Sequence, residues 1–137
     1  MLKADVGIRR AIHINRMMHF WKIIRMIKLI VGIKRKSGMS PEEFHEHWRT
    51  THAELVRTCA ASRKYIRKYV QYHTLVEEYV NGEVPYDGTA ELWFDSIEDK
   101  DRFFSDPDYL ENVSPDESRF ADMTKTVFFV TEAEPII

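Results

Sequence analysis

The sequence predicts an α+β domain in the order β-α-β-β-α-β, an antiparallel four-stranded sheet with its helices gathered on one face. Three observations carry this. Apolar residues alternate with lysines in IKLIVGIK from Ile27. Two serine-led stretches, Ser40-Pro41-Glu42-Glu43 and Ser96-Ile97-Glu98-Asp99, have the spacing of helix caps. Two runs rich in β-branched and aromatic residues flank the turn-forming segment VNGEVPYDG.

Taken in order, Ile27, Leu29, Val31 and Ile33 form one apolar strand face, with Lys28 and Lys34 on the other side of the alternation. After the KRKSG turn, Ser40 is the expected N-cap, Pro41 the first helical residue and Glu43 the closing acid of a capping box. Met39 and Phe44 are placed as a hydrophobic staple. This helix is expected to run to about Cys59, and RKYIRKYVQYHTLV to form the second strand. Asn81-Gly82, Pro85 and Asp87-Gly88 then turn the chain into TAELWFD, so these two strands pair through a long hairpin loop. Ser96 opens a second helix that Asp106-Pro107 is expected to stop, Ser114-Pro115 opens a short third one, and KTVFFVT is the last strand. This is the split β-α-β order of ferredoxin-like folds. Aromatic residues on the uncovered sheet face would leave a large apolar patch on a monomer, so two sheets are expected to pack face to face in a homodimer.

At 137 residues the chain fits one domain. Charge is uneven: residues 1–36 hold ten Lys/Arg against the lone Asp5. Residues 1–25 are expected to be a basic leader outside the domain, which spans 26–137. In the cationic segment IRRAIHINRMMHFWKIIRMIK, Lys22, Arg25 and Lys28 interrupt the apolar runs too often for a membrane span, and the leader lacks the apolar core of a secretory signal and the serines of a transit peptide. Nucleic-acid binding would rest on the leader and RKYIRK alone and is not expected. The single cysteine, Cys59, has no disulfide partner, which places the protein in a reducing compartment, the cytoplasm.

Chemistry concentrates in FHEHWRTTHAELV, residues 44–56, with three histidines, a tryptophan and an arginine. On an ideal wheel Phe44, Trp48, Thr51, Leu55 and Cys59 make one stripe, His45, His52 and Val56 border it, and His47 lies on the far side. A one-helix metal site is disfavoured. Zinc ligands recur at i and i+4, whereas Arg49 stands where a partner of His45 would be. His52, one turn beyond Trp48, is the candidate acid/base; the competing reading is a buried histidine satisfied by a backbone carbonyl. On the second strand, alternation puts Tyr69, Gln71 and His73 on one face, either a wet surface or the polar wall of a pocket. Tyr69 would serve as phenolic donor and His73 as base. Trp48, Gln71 and Trp93 are candidate ligand contacts. Asp116, Glu117 and Asp122 read as helix-capping and surface acids. No phosphate loop, nucleophile elbow, or flavin or nicotinamide fingerprint is present, and no cofactor is expected.

The helix pattern F-x-x-x-W-x-x-x-H in IKLIVGIKRKSGMSPEEFHEHWRTTHAELV, followed by KYVQYH, YDGTAELWFDS and SPDESRFADM, resembles the EthD family of small dimeric α+β barrel proteins over residues 26–137. The resemblance implies a homodimer with a cavity between sheet and helices in each protomer. It also implies a small hydrophobic or aromatic substrate and a helix histidine as acid/base, which falls on His52 with Tyr69 and His73 nearby. The expected function is a cofactor-independent enzyme of isomerisation, dehydration or oxygenation. The alternative is a non-catalytic accessory protein that holds a metabolite for a partner oxygenase.

Overall fold

The structure is a computed structural model that describes residues 10–18 and 25–137. The leader expected over 1–25 therefore lies in part outside the described residues; within it, 10–18 are helical and exposed. Among the described residues no helix is long and apolar enough to cross a membrane.

Strand β1 (Ile27–Ile33) is followed by helix α1 (Pro41–His47), a π turn (Trp48–His52), α2 (Ala53–Thr58) and α3 (Ala60–Tyr65). Then come β2 (Ile66–His73), a 3₁₀ turn (Val76–Glu78), β3 (Gly88–Phe94), α4 (Ile97–Ser105), α5 (Pro107–Asn112), α6 (Ser114–Phe120) and β4 (Val127–Glu132). The four strands make one antiparallel sheet in the order β2-β3-β1-β4, the ferredoxin-like topology read from the sequence. Residues directly opposite one another share a face, so Leu29, Leu92 and Val130 look toward the helices, while Lys28, Trp93 and Thr131 look away.

The caps form as the sequence predicts. Ser40 accepts from Glu43 N–H at 3.1 Å while the Glu43 carboxylate takes Ser40 N–H at 2.8 Å. Ser96 accepts from Asp99 N–H at 3.1 Å. Two boundaries differ from expectation. Cys59 is extended and ends α2, and Asp108 takes the Ala60 N–H at 2.6 Å, so 60–65 turn helical and β2 begins only at Ile66. Asp106-Pro107 does stop α4, but Asp106 also caps α5 through Asp108 N–H, with Pro107 in the first turn.

The core lies between sheet and helices. Phe44, Trp48, Phe94, Phe103 and Val113 are almost wholly buried there, joined by Leu29, Val31, Leu92 and Phe120. Asp87 fastens one end. It is fully buried and accepts Arg35 N–H and Nη1–H and the Tyr79 hydroxyl, each at 2.8 Å. Burial alone would raise its pKa, and the bonds from Arg35 and Tyr79 outweigh that and hold it ionised. The next residue, Gly88, lies under the Trp48 ring, so the loop, β3 and the first helix meet at one point.

Candidate active site

Phe44, Trp48, His52 and Val56 are buried at intervals of four. A regular helix advances about 40° too far in four residues for such a stripe to stay aligned. The π turn across Trp48–His52, closed by i→i+5 bonds, takes up the difference. It turns Thr51 out to solvent and brings His52 in. His47, placed on the far side by the ideal wheel, is instead half-buried against α6.

His52 is 7% exposed and its Nδ1 stands 3.0 Å from Asp116 Oδ2. Asp116, 1% exposed, also receives His47 Nε2, at 3.0 and 3.1 Å to its two oxygens. Arg119 Nη1 lies 3.8 Å away. A buried carboxylate accepts only, so it selects the Nδ1–H tautomer of His52 and leaves Nε2 as the basic atom. Among the described residues Nε2 has no hydrogen-bond partner. Burial holds the His52 pKa below the ordinary imidazole value, against the upward pull of Asp116, so the ring is neutral at pH 7.

His52 forms part of the wall of a cavity of about 70 Å³ between sheet and helices. Most of the rest of that wall is apolar: Val31, Ile33, Leu92, Phe103, Phe120 and their neighbours. The polar exceptions are informative. Tyr69 accepts from Trp48 Nε1–H at 3.3 Å and from Gln71 Nε2–H at 3.2 Å. With both contacts as donors to it, its own O–H remains available to a guest. Burial raises the Tyr69 pKa and keeps the phenol protonated. Across the cavity, Tyr109 donates to Glu117, whose pKa is raised by burial and by the charge of Asp116. Met123 and Phe128, both exposed, stand at the mouth.

The cavity thus gathers three of the six residues singled out by sequence: His52, Tyr69 and Trp48. Gln71 is one bond behind the wall, donating to Tyr69 and, at 2.9 Å, to the Trp48 carbonyl. His73 lies outside the cavity. Its ring packs 4.5 Å from that of Trp48, its Nδ1 is 2.7 Å from His45 Nδ1 and its Nε2 3.0 Å from Gln71 Oε1. Burial first, then the nearby His45 and Arg49 charges, lower its pKa to about 4. Trp93 is on the opposite face of the sheet, between Lys28 and Lys68, whose ammonium groups lie 4.7 and 4.9 Å from its ring.

Reading the acids of α6 as surface groups misses Asp116 and Glu117. A signal was available: Tyr109, Val113, Asp116 and Phe120 recur at helical spacing, and all four are buried, so Asp116 occupies a core position. Among the described residues no group of three or more His, Cys, Asp or Glu side chains is arranged to hold a metal ion.

The sequence model of the EthD domain matches residues 36–124. Three named relatives are fungal. The chain is 25% identical to dehydratase aurZ of Gibberella zeae, with 82% of this chain and 80% of that protein covered. It is 27% identical to the conidial pigment biosynthesis dehydratase EthD of Metarhizium robertsii, covering 77% and 81%. It is also 27% identical to decarboxylase nsrE of Aspergillus novofumigatus, covering 75% and 74%. Among solved structures, an EthD family protein from Bacillus halodurans superposes with a TM-score of 0.60 at 20% identity, over 80% of this chain and 99% of that one. A dimeric ferredoxin-like protein from Bacteroides fragilis gives 0.59 at 18%, over 79% and 96%. At these identities the solved structures speak for the fold alone.

Proposed function

The chain belongs to the EthD domain family, and from that premise we propose a small enzyme that removes water from a hydrophobic or aromatic β-hydroxy carbonyl compound by acid–base chemistry of its own side chains. The observation that carries this reading is the buried His52–Asp116 pair at the wall of an apolar cavity, with His52 Nε2 free of hydrogen-bond partners among the described residues. Two relatives bearing the name dehydratase favour dehydration among the reactions such a site supports.

His52 Nε2 takes the proton next to the substrate carbonyl, and Asp116 stabilises the imidazolium that forms. The Tyr69 hydroxyl, with no acceptor among the described residues, hydrogen-bonds the carbonyl oxygen as enolate charge develops. Glu117, whose pKa burial raises, is the acid that gives its proton to the departing hydroxyl, which leaves as water while the C–O electron pair goes with it. The electron pair of the broken C–H bond becomes the new C=C bond. The proton then held by His52 returns to Glu117 through solvent, so one substrate gives one alkene and one water. The cavity is smaller than the void of roughly 150 Å³ that admits benzene in a packed core, so a guest enters as Met123 and Phe128 swing aside.

His52→Gln keeps the side chain polar and removes the base. Turnover should fall at least about a hundredfold, with the dissociation constant of a product analogue changed little. Equal, small effects on turnover and binding would sink the catalytic reading in favour of a ligand-holding protein.

A further inference from the structure

Beside the apolar cavity runs a second, wider void of about 490 Å³, walled by Arg49 of the π turn, Arg57 of α2, Arg63 of α3, and Arg67 and Lys68 of β2. Among the described residues no acidic side chain lines it. Five basic residues from four elements line it, although the Lys68 ammonium itself lies over Trp93 on the opposite sheet face; the guanidinium groups left repel one another unless an anion enters. Some of this charge is answered from outside: Arg57 by Glu54, and Arg67 by Asp95 at 2.8 Å. Arg49 is only loosely met, 3.9 Å from Glu46 and 58% exposed. Arg63 makes a single 3.3 Å bond, to the Thr58 carbonyl, among the described residues. These two retain most of their donors.

A second observation points the same way. Ser62, 8% exposed, belongs to the same wall, and its Oγ is the one buried side-chain polar atom without a partner among the described residues. A buried hydroxyl left unmatched costs stability unless something else meets it. The two voids also share two wall residues, Val56 and Tyr69. A molecule whose apolar body lies in the cavity has its edge at Tyr69, next to the cationic groove.

We propose that the groove is a carboxylate subsite, and that the ligand is an aromatic acid whose ring system fills the cavity while its carboxylate binds Arg49 and Arg63. Planar guanidinium groups pair with carboxylate oxygens two bonds at a time, which fixes the orientation of the ring relative to His52. The proposal rests on the cavity being the substrate site, as above. It adds the charge and the direction of the ligand.

The test is calorimetric titration of naphthalene-2-carboxylate and its methyl ester into the full chain at low and high salt. The acid should bind about tenfold more tightly than the ester, as expected from two partly exposed ion pairs, and salt should erode the difference. The double variant R49Q/R63Q should abolish the preference while leaving ester binding intact, which also shows that it folds. Equal affinity for acid and ester, a preference indifferent to the double variant, or binding of neither compound overturns the subsite. The His52→Gln variant separates this from the catalytic reading: acid preference that survives without turnover keeps the groove, and His52-dependent turnover without acid preference removes it.

Discussion

Replacing Asp116 by Asn keeps the shape of the buried side chain and removes the charge that faces His52 and His47. Because Asp116 raises the His52 pKa against the downward effect of burial, Asp116→Asn should lower it further. The acidic limb of the kcat/KM profile should move to lower pH, while a weaker base and a less favoured imidazolium should depress the plateau by roughly 10²–10⁴-fold. A profile with the limb unmoved would deny Asp116 this positioning role. The other histidine pair makes a prediction about stability. His45 and His73 face each other through their Nδ1 atoms at 2.7 Å, a contact that accommodates one proton. His73 has its pKa lowered to about 4, chiefly by burial, and His45 is shifted the same way for the same reason. The unfolded chain, with histidines near their ordinary value of about 6.5, binds protons between these limits that the folded chain refuses. The histidine contribution is fully present above about pH 6.5 and is lost as pH falls toward 4. The Tm should therefore decline from pH 7 to pH 5, before most carboxylates titrate, and His73→Gln should flatten that slope. A constant Tm across this range would refute the assignment.

Among the elements, the junction of β3 with the first helix is the most sensitive to a single methyl group. A Cβ on Gly88 would stand 2.5 Å from the Trp48 ring and 2.7 Å from the Tyr72 carbonyl oxygen. The backbone oxygen cannot rotate away, and Trp48 is held by Tyr69 and by the rings of Phe44 and His73. Gly88→Ala should cost about 1–3 kcal/mol, read as a lowered denaturant midpoint, and should disturb the cavity wall through Trp48. An unchanged midpoint would show that the ring has room to move. The same elements show what a sequence can and cannot reveal. The caps at Ser40 and Ser96 were legible because each is closed by residues three positions apart, and strand alternation was legible because one face of the sheet is buried. The π turn left no such trace. It is favoured by contacts with α6, where Asp116 lies 64 residues from His52 and Phe120 packs on the rings of both His47 and His52. An ideal wheel therefore recognised His52 as bordering the core but misplaced His47 and Thr51. The role of Asp116 was hidden because Ser-Pro-Asp-Glu reads as a helix cap, where acidic residues are ordinary; in the structure Val113 precedes the helix and Ser114 makes no capping bond.

For the whole molecule, the decisive surface is the face of the sheet turned away from the helices. Ile30, Val70, Tyr72, Trp93, Val127 and Phe129 share it, with Tyr72 48% and Phe129 49% exposed. Such a face would gain free energy by meeting its own copy about a twofold axis, which would also bring Trp93 into contact without any part in the cavity. Lys28 and Lys68 beside Trp93 provide a discriminating test. Glutamate at position 93 would sit between two ammonium groups, a favourable place on an isolated protomer, yet in a face-to-face pair it would be buried against its symmetry mate. Trp93→Glu should thus halve the mass measured by light scattering and lose the stability contributed by association, while the circular dichroism of the folded protomer is unchanged. A wild-type chain that already runs as a monomer, or a variant that stays dimeric, would exclude this face as the interface.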